Sequence, residues 1–309
     1  MKNYPEKSQP LSRRTFLRRL LGFVAAHRFL TAIPVSGFGL TGWVSHDTLA
    51  LRLYDWNLYY PHLPDELEGK TILQLSDLHL HHLKISAARI AAALHAQQPD
   101  VLVFTGDLVS SRSDLDQISP YLTAFRCAPY CFLVLGNHDY LYFSQALRSR
   151  YMELAQDSGW RALINQSEFI ADLNLWIIGI DDPSTAHDDV KLAYAPLLQS
   201  PPEPFRLALA HSTDCLDAVA GYGADLLLTG HTHGGQIRLP GLGPFITNTY
   251  LGDKGIYEGY HVVSGIPLYI NRGIGCSRLP FRLGVLPEIT KFTLRRGAQD
   301  PTCSIQALP

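Results

Sequence analysis

The chain has 309 residues, 46% of them hydrophobic and 17% charged, which is ample apolar material for a large folded domain and excludes a disordered chain. The formal charge of −2 is uneven, +6 over residues 1–43 and −8 over the remainder. An acidic body lacks the diffuse basic face that binds long nucleic acid, and the five cysteines contain no CxxC pair, so neither that partner nor a thiolate zinc site is expected.

Near the N-terminus, Ser12-Arg13-Arg14-Thr15-Phe16-Leu17-Arg18 and the apolar run 20–26 resemble a twin-arginine export leader. His27 and Arg28 interrupt the apolar run and no A-x-A cleavage site follows, so residues 1–43 read as a leader or as a membrane anchor. Either reading implies the twin-arginine export machinery and a membrane surface as partners, and a bacterial cell-envelope location, membrane-associated or exported. A basic amphipathic arm laid against the body is the competing reading. The uncharged stretch 29–43 is shorter than the roughly 20 residues a spanning helix needs. It also contains Gly37-x-Gly39-x-x-Gly42, a dinucleotide fingerprint in form only, because no strand precedes it.

Residues 44–297 contain no repeat and no low-complexity linker and are read as one domain, with 298–309 as a flexible tail. Apolar runs of strand length recur at 71–75 (TILQL), 101–105 (VLVFT), 131–135 (CFLVL), 175–180 (LWIIGI), 206–210 (RLALA) and 225–229 (DLLLT). Helical patterns lie between several of them, at 85–97, 144–156 and 213–220, with Ile85, Ile90, Ala93 and Leu94 near one face of the first. A strand-rich stretch follows from 256 to 295. Strands alternating with helices and then a strand-rich end predict an α/β fold, with one mixed sheet or two stacked sheets.

The strand ends carry the chemistry. Behind 71–75 stand Asp77 and His79, and behind 101–105 stand Gly106 and Asp107. Gly136, Asn137, His138 and Asp139 follow 131–135, His211 follows 206–210, and Gly230-His231-Thr232-His233 follows 225–229. The run 175–180 is the exception, and Asp181 and Asp182 behind it read as a turn. Carboxyl ends of strands share an edge in open α/β sheets, so two Asp, one Asn and four His would converge. Asp-x-His and His-x-His place alternate side chains on one face of an extended segment, as chelation requires. A mixed oxygen and imidazole set without thiolate suits Mn, Fe or Zn, and seven donors exceed one tetrahedral ion. Two divalent ions are therefore expected, with a shared Asp, a bridging hydroxide at neutral pH and a clamp for in-line displacement at phosphorus.

In order and spacing, these motifs over residues 70–295 resemble the calcineurin-like metallophosphoesterases. The resemblance implies a four-layer sandwich of two mixed β-sheets flanked by helices. It implies that Asp77, His79 and His233 bind one ion, that Asn137, His211 and His231 bind the other, and that Asp107 bridges them. His138 would contact a phosphate oxygen and protonate the leaving group, with Asp139 orienting it. The stretches 180–182, 230–245 and 271–290 resemble the YaeI-like phosphodiesterase branch, to which a chlamydial UDP-2,3-diacylglucosamine pyrophosphatase is similar. The expected substrate is thus a small phosphodiester or pyrophosphate, lipid-linked in one form. A phosphomonoesterase or nucleotidase, or a non-catalytic metal-binding scaffold, are the alternatives. Leu239, Leu242 and Phe245 either touch an acyl chain or close the core, and Arg238 and Arg282 either meet a second phosphate or form ion pairs.

Overall fold

The computed structural model describes residues 37–199, 203–239, 243–244 and 246–309. The arginine motif at 12–18, the apolar run 20–26, Leu242 and Phe245 lie outside the described residues. The chain enters through helix α1 (Gly37–Leu49) and continues into strand β1 (Arg52–Tyr60). Strands β2 (Thr71–Leu75), β3 (Val101–Thr105), β4 (Tyr130–Val134) and β5 (Arg161–Ala162) follow, joined by helices α2 (Ala87–His95), α3 (Leu115–Phe125), α4 (Asn137–Tyr142) and α5 (Gln145–Asp157). With β14 (Glu288–Arg296) and β15 (Thr302–Ala307) they form one sheet, in the order β15-β1-β14-β2-β3-β4-β5. Strands β2 to β5 run parallel and β14 antiparallel to β2, so this sheet is mixed.

A second mixed sheet has the order β12-β13-β9-β8-β7-β6. Its strands are β6 (Gln166–Ile170), β7 (Leu175–Gly179), β8 (Phe205–Leu209), β9 (Leu226–Thr229), β12 (Gly259–Val263) and β13 (Ile266–Ile270). The ribbon β10 (Arg238–Leu239) and β11 (Gly243–Pro244) stands apart from it. Helices α6 (Val190–Tyr194) and α7 (Leu216–Tyr222) connect its parallel strands.

Period-two alternation sorts the apolar side chains into layers. Leu73, Leu75, Phe104 and Leu133 face out against Ile90, Ile118 and Tyr151 of α2, α3 and α5. Ile72, Val103 and Val134 face in and meet Ile177, Leu209 and Leu228 of the second sheet. Ile178, Ala208 and Leu227 then pack against Tyr194 and Val219 of α6 and α7. The result is the expected helix, sheet, sheet, helix sandwich. Gln74, one of the buried polar strand residues, donates to Thr105 Oγ1 and to the Thr229 carbonyl, both at 3.0 Å, and so ties the two sheets together beside the strand ends.

The helix expected at 85–97 is α2, started by Ser86, whose hydroxyl accepts from Arg89 N at 3.3 Å. Ile85, Ile90, Ala93 and Leu94 are all buried. One boundary is corrected. Residues 302–307 are not a flexible tail; they pair antiparallel with β1 from Asn57↔Thr302 to Arg52↔Ala307. An open β1 edge would leave a row of unpaired backbone groups, and β15 satisfies them although all its side chains are exposed. The division at 43/44 falls inside α1. Thr48 Oγ1 accepts from Arg282 N (2.9 Å), Asp47 Oδ2 accepts from Gly284 N (2.6 Å), and Val44 packs against the Leu239–Leu283 pair. The body therefore begins within this helix, whose glycines do not sit in a strand-to-helix turn.

Candidate metal centre

The carboxyl ends of β2, β3 and β4 deliver Asp77, His79, Asp107 and Asn137, and those of β8 and β9 deliver His211, His231 and His233. Five of these seven, Asp77, His79, Asp107, His231 and His233, hold a left-handed backbone with φ between 46° and 69°. Each such residue costs about 1–3 kcal/mol and persists only where its surroundings over-determine it. Close approach of backbone is part of that determination. A Cβ on Gly136 would lie 2.3 Å from Asp107 Oδ1.

The donor atoms fall into two adjoining groups, Asp77, His79 and His233, and Asp107, His211 and His231. Asp77 Oδ1 lies 3.3 Å from His233 Nε2, and Asp107 Oδ2 lies 3.3 Å from His211 Nε2. His79 Nε2 is 3.5 Å from Asp107 Oδ2, so Asp107 stands between the groups. His211 Nε2 and His231 Nδ1 are 3.1 Å apart, and His79 Nε2 and His233 Nε2 are 2.9 Å apart. His79, His138 and Asp107 form a third, overlapping group.

Outer contacts aim these atoms. Ser76 Oγ (2.6 Å) and His231 N (3.1 Å) both donate to Asp77 Oδ2, leaving Oδ1 free to face the cluster. His211 Nδ1 donates to the Thr105 carbonyl at 2.7 Å, which fixes its tautomer, and His79 Nδ1 lies 2.8 Å from Ser110 Oγ. The residues fit a pair of divalent cations. Asp77 Oδ1 and Asn137 Oδ1 are buried acceptors with no donor. Ring nitrogens crowd together, and all donors are oxygen or imidazole.

Charge follows the same plan. Burial pushes His79 and His233 well below the usual imidazole range, against the pull of Asp107 on both. His231 is lowered by burial and by His211. Burial alone would raise Asp107, but the charge and hydrogen bond of His211 hold it well below the carboxylate range, while His211 rises in response. The neutral rings present lone pairs, as ligation requires.

His138 and Asp139 part company. The His138 ring stands edge-on to His79 at 4.5 Å between centroids, its Nδ1 has no partner, and its backbone N–H donates to Asp107 Oδ1 at 2.8 Å. Asn137, His138 and His231 are only half-buried, so solvent reaches the centre on their side. Asp139 does not orient His138. Its carboxylate accepts from the backbone N–H groups of Gly136 (2.8 Å), Asp107 (3.1 Å) and Val109 (3.4 Å), binding the β3 and β4 loops to each other. The reason is local: at the third position of α4 its side chain turns back onto the helix start.

Arg238 pairs with Glu258 and Arg282 is fully buried, so neither is placed to meet a second phosphate. Leu239 is buried against Leu283 and closes the core. Asp181 and Asp182 are a turn, as read, with Asp182 accepting from Ser184 and Thr185. His81 is exposed beside Asp114. Ser76, Ser110 and Tyr140, which donates to Asp181, escaped the sequence reading. Serine next to Asp77 and three residues past Asp107 was the only available signal, and small polar residues are common in such loops.

The chain matches relatives along most of its length. It is 30% identical over 293 residues to the uncharacterized metallophosphoesterase YkuE of Bacillus subtilis, covering 92% of this chain and 98% of that one. It is 26% identical over 310 residues to the UDP-2,3-diacylglucosamine pyrophosphatase LpxG of Chlamydia trachomatis, covering 82% and 92%. With the phosphodiesterase YaeI of Escherichia coli the identity is 32% over 238 residues, covering 72% and 81%. The profile described as calcineurin-like phosphoesterase matches residues 70–235, from the start of β2 through the last histidine pair. With that match lying over every donor of the centre, the chain belongs to the calcineurin-like phosphoesterase family.

Proposed function

We propose that this protein is a dinuclear-metal phosphoesterase that hydrolyses a phosphodiester or pyrophosphate bond, with a lipid-linked phosphate such as UDP-2,3-diacylglucosamine as substrate. The observation that carries the reading is the pair of donor groups joined at Asp107, whose Oδ2 lies 3.3 Å from His211 Nε2 and 3.5 Å from His79 Nε2. Asp77, His79 and His233 would hold one ion and Asn137, His211 and His231 the other. When bound, such ions supply Lewis acidity toward phosphoryl oxygens and acidify water. The chain supplies the rest. His138, half-buried beside the donors of the centre, is the group available to meet a phosphate oxygen and return a proton to the leaving oxygen. Asp139 and the loop glycines Gly106, Gly136 and Gly230 hold the ligands where a phosphate must bind.

Two observations support a lipid-linked substrate. A relative named as a UDP-2,3-diacylglucosamine pyrophosphatase aligns with 82% of the chain. Leu141, three residues past His138, is 69% exposed, and Trp43 and Leu279 are also exposed. No described helix is long and apolar enough to cross a membrane, so the membrane association we propose rests on the N-terminal segment. The test is hydrolysis by the full chain with Mn²⁺, on UDP-2,3-diacylglucosamine and on an aryl phosphodiester, with His138→Ala as control. UMP release that is lost in the variant supports the whole reading. Turnover of the aryl diester alone keeps the chemistry and removes the lipid substrate. Inertness toward both overturns the reading.

A further inference from the structure

Arg282 is fully buried and is among the largest side chains in the protein with no exposure. A guanidinium withdrawn from water normally faces a carboxylate. This one does not. Its Nε and Nη2 both donate to the Gly275 carbonyl, at 2.9 and 2.6 Å, Nη2 lies 3.4 Å from His233 Nδ1, and Nη1 has no partner. The Gly275 N–H donates to the Asp77 carbonyl at 2.8 Å. A Cβ on Gly275 would fall 1.8 Å from the Leu78 carbonyl, so that loop is pressed directly onto the Asp77 segment. One buried cation thus stands behind two of the three donors of a single metal position. The other rings are backed differently: His211 Nδ1 meets a carbonyl and His79 Nδ1 a hydroxyl.

We propose that Arg282 is a positioning residue for the ion held by Asp77, His79 and His233. It steadies the backbone of Asp77 through Gly275 and stands against the His233 ring by contact, with no hydrogen bond to Nδ1, because a guanidinium only donates and a ring that ligates through Nε2 carries its proton on Nδ1. Its charge, paired directly with no carboxylate, is tolerated because the Asp77 and Glu288 carboxylates act on it from a distance. The position held by Asn137, His211 and His231 receives no such brace from it. The consequence is selective: loss of Arg282 loosens one ion and spares the other.

The inference rests on the dinuclear reading, and the test separates the two. Full-length wild type, Arg282→Met and Arg282→Lys are titrated with Co²⁺, following visible absorption and bound metal, with His233→Ala and His231→Ala identifying the two binding steps. Arg282→Met is expected to weaken the His233 step by about 10- to 100-fold and to change its absorption band, leaving the His231 step in place. Arg282→Lys keeps the charge but replaces the two-nitrogen grip on the Gly275 carbonyl by a single ammonium, and is expected to fall between. A defect of folding alone would weaken both steps. Equal weakening of both, or wild-type behaviour of both, overturns the inference. If Arg282→Met does not fold, Arg282→Lys decides on the same criterion. Wild type that binds no Co²⁺ overturns the dinuclear reading, and the inference with it.

Discussion

Gly230→Ala tests whether the crowding at the centre is as tight as its geometry states. Gly230 does not need a left-handed backbone, so alanine is unstrained there and any effect comes from contact alone. The new Cβ would lie 1.9 Å from Ser76 Oγ, 2.9 Å from Ser76 Cβ and 2.3 Å from Asp77 Oδ2. Ordinary van der Waals contact is about 3.5–4 Å, so Ser76 and Asp77, both fully buried, must withdraw by more than 1 Å. Overpacking of this kind costs about 1–3 kcal/mol. Breaking the Ser76 to Asp77 hydrogen bond, whose acceptor is charged, adds about 1.5–3 kcal/mol. The expected loss is therefore about 2.5–6 kcal/mol in urea unfolding of the metal-free protein, together with weaker binding of the ion that Asp77 Oδ1 faces. Adding Ser76→Gly removes the first two contacts and is expected to recover part of the loss. A Gly230→Ala protein within about 0.5 kcal/mol of wild type, binding both ions normally, would refute the reasoning.

Replacing His138 by alanine is expected to lower kcat by about 100- to 10,000-fold while metal analysis still finds two ions, and unchanged turnover would remove His138 from the chemistry. Burial, and then the charge of Asp107, push Asp139 up to about 7 against the pull of its three backbone donors. An unfolded aspartate titrates near 3.9, so the folded metal-free protein binds the extra proton and loses stability as pH rises from about 4 to 7, by as much as about 4 kcal/mol. Asp139→Asn should flatten that slope, and parallel pH profiles for variant and wild type would count against it. Ending the chain at residue 301 strips β15 from β1 and should yield self-association on size exclusion, through an exposed strand edge; a monomer as stable as wild type would show that the ladder is dispensable.

Much of the centre was legible because its donors are side chains of rare type placed by one rule. Each of Asp77, Asp107, Asn137, His211 and His231 follows a run of apolar strand residues within two positions, and that pattern survives without coordinates. What stays hidden is carried by backbone. Nothing in residues 302–307 marks a strand, since every side chain is exposed and only the ladder with β1 holds it. Asp139 looked like a partner for its neighbour His138, but its hydrogen bonds run to N–H groups that every residue possesses. Helix α3 was missed for a related reason, because Pro120 sits inside it and reads as a breaker. Arg282 reads as a surface arginine until the fold closes over it.

Helix α1 sets a reach. Its thirteen residues rise by about 20 Å, and its last turn is fastened to Arg282 and Gly284 through Thr48 and Asp47. Whatever holds residue 37 therefore keeps the metal centre on a short rigid leash and does not let it roam at the end of a flexible linker. The helix also gives a rule for anyone trimming the chain: a cut before residue 44 spares the fastening, and a cut at residue 50 removes it.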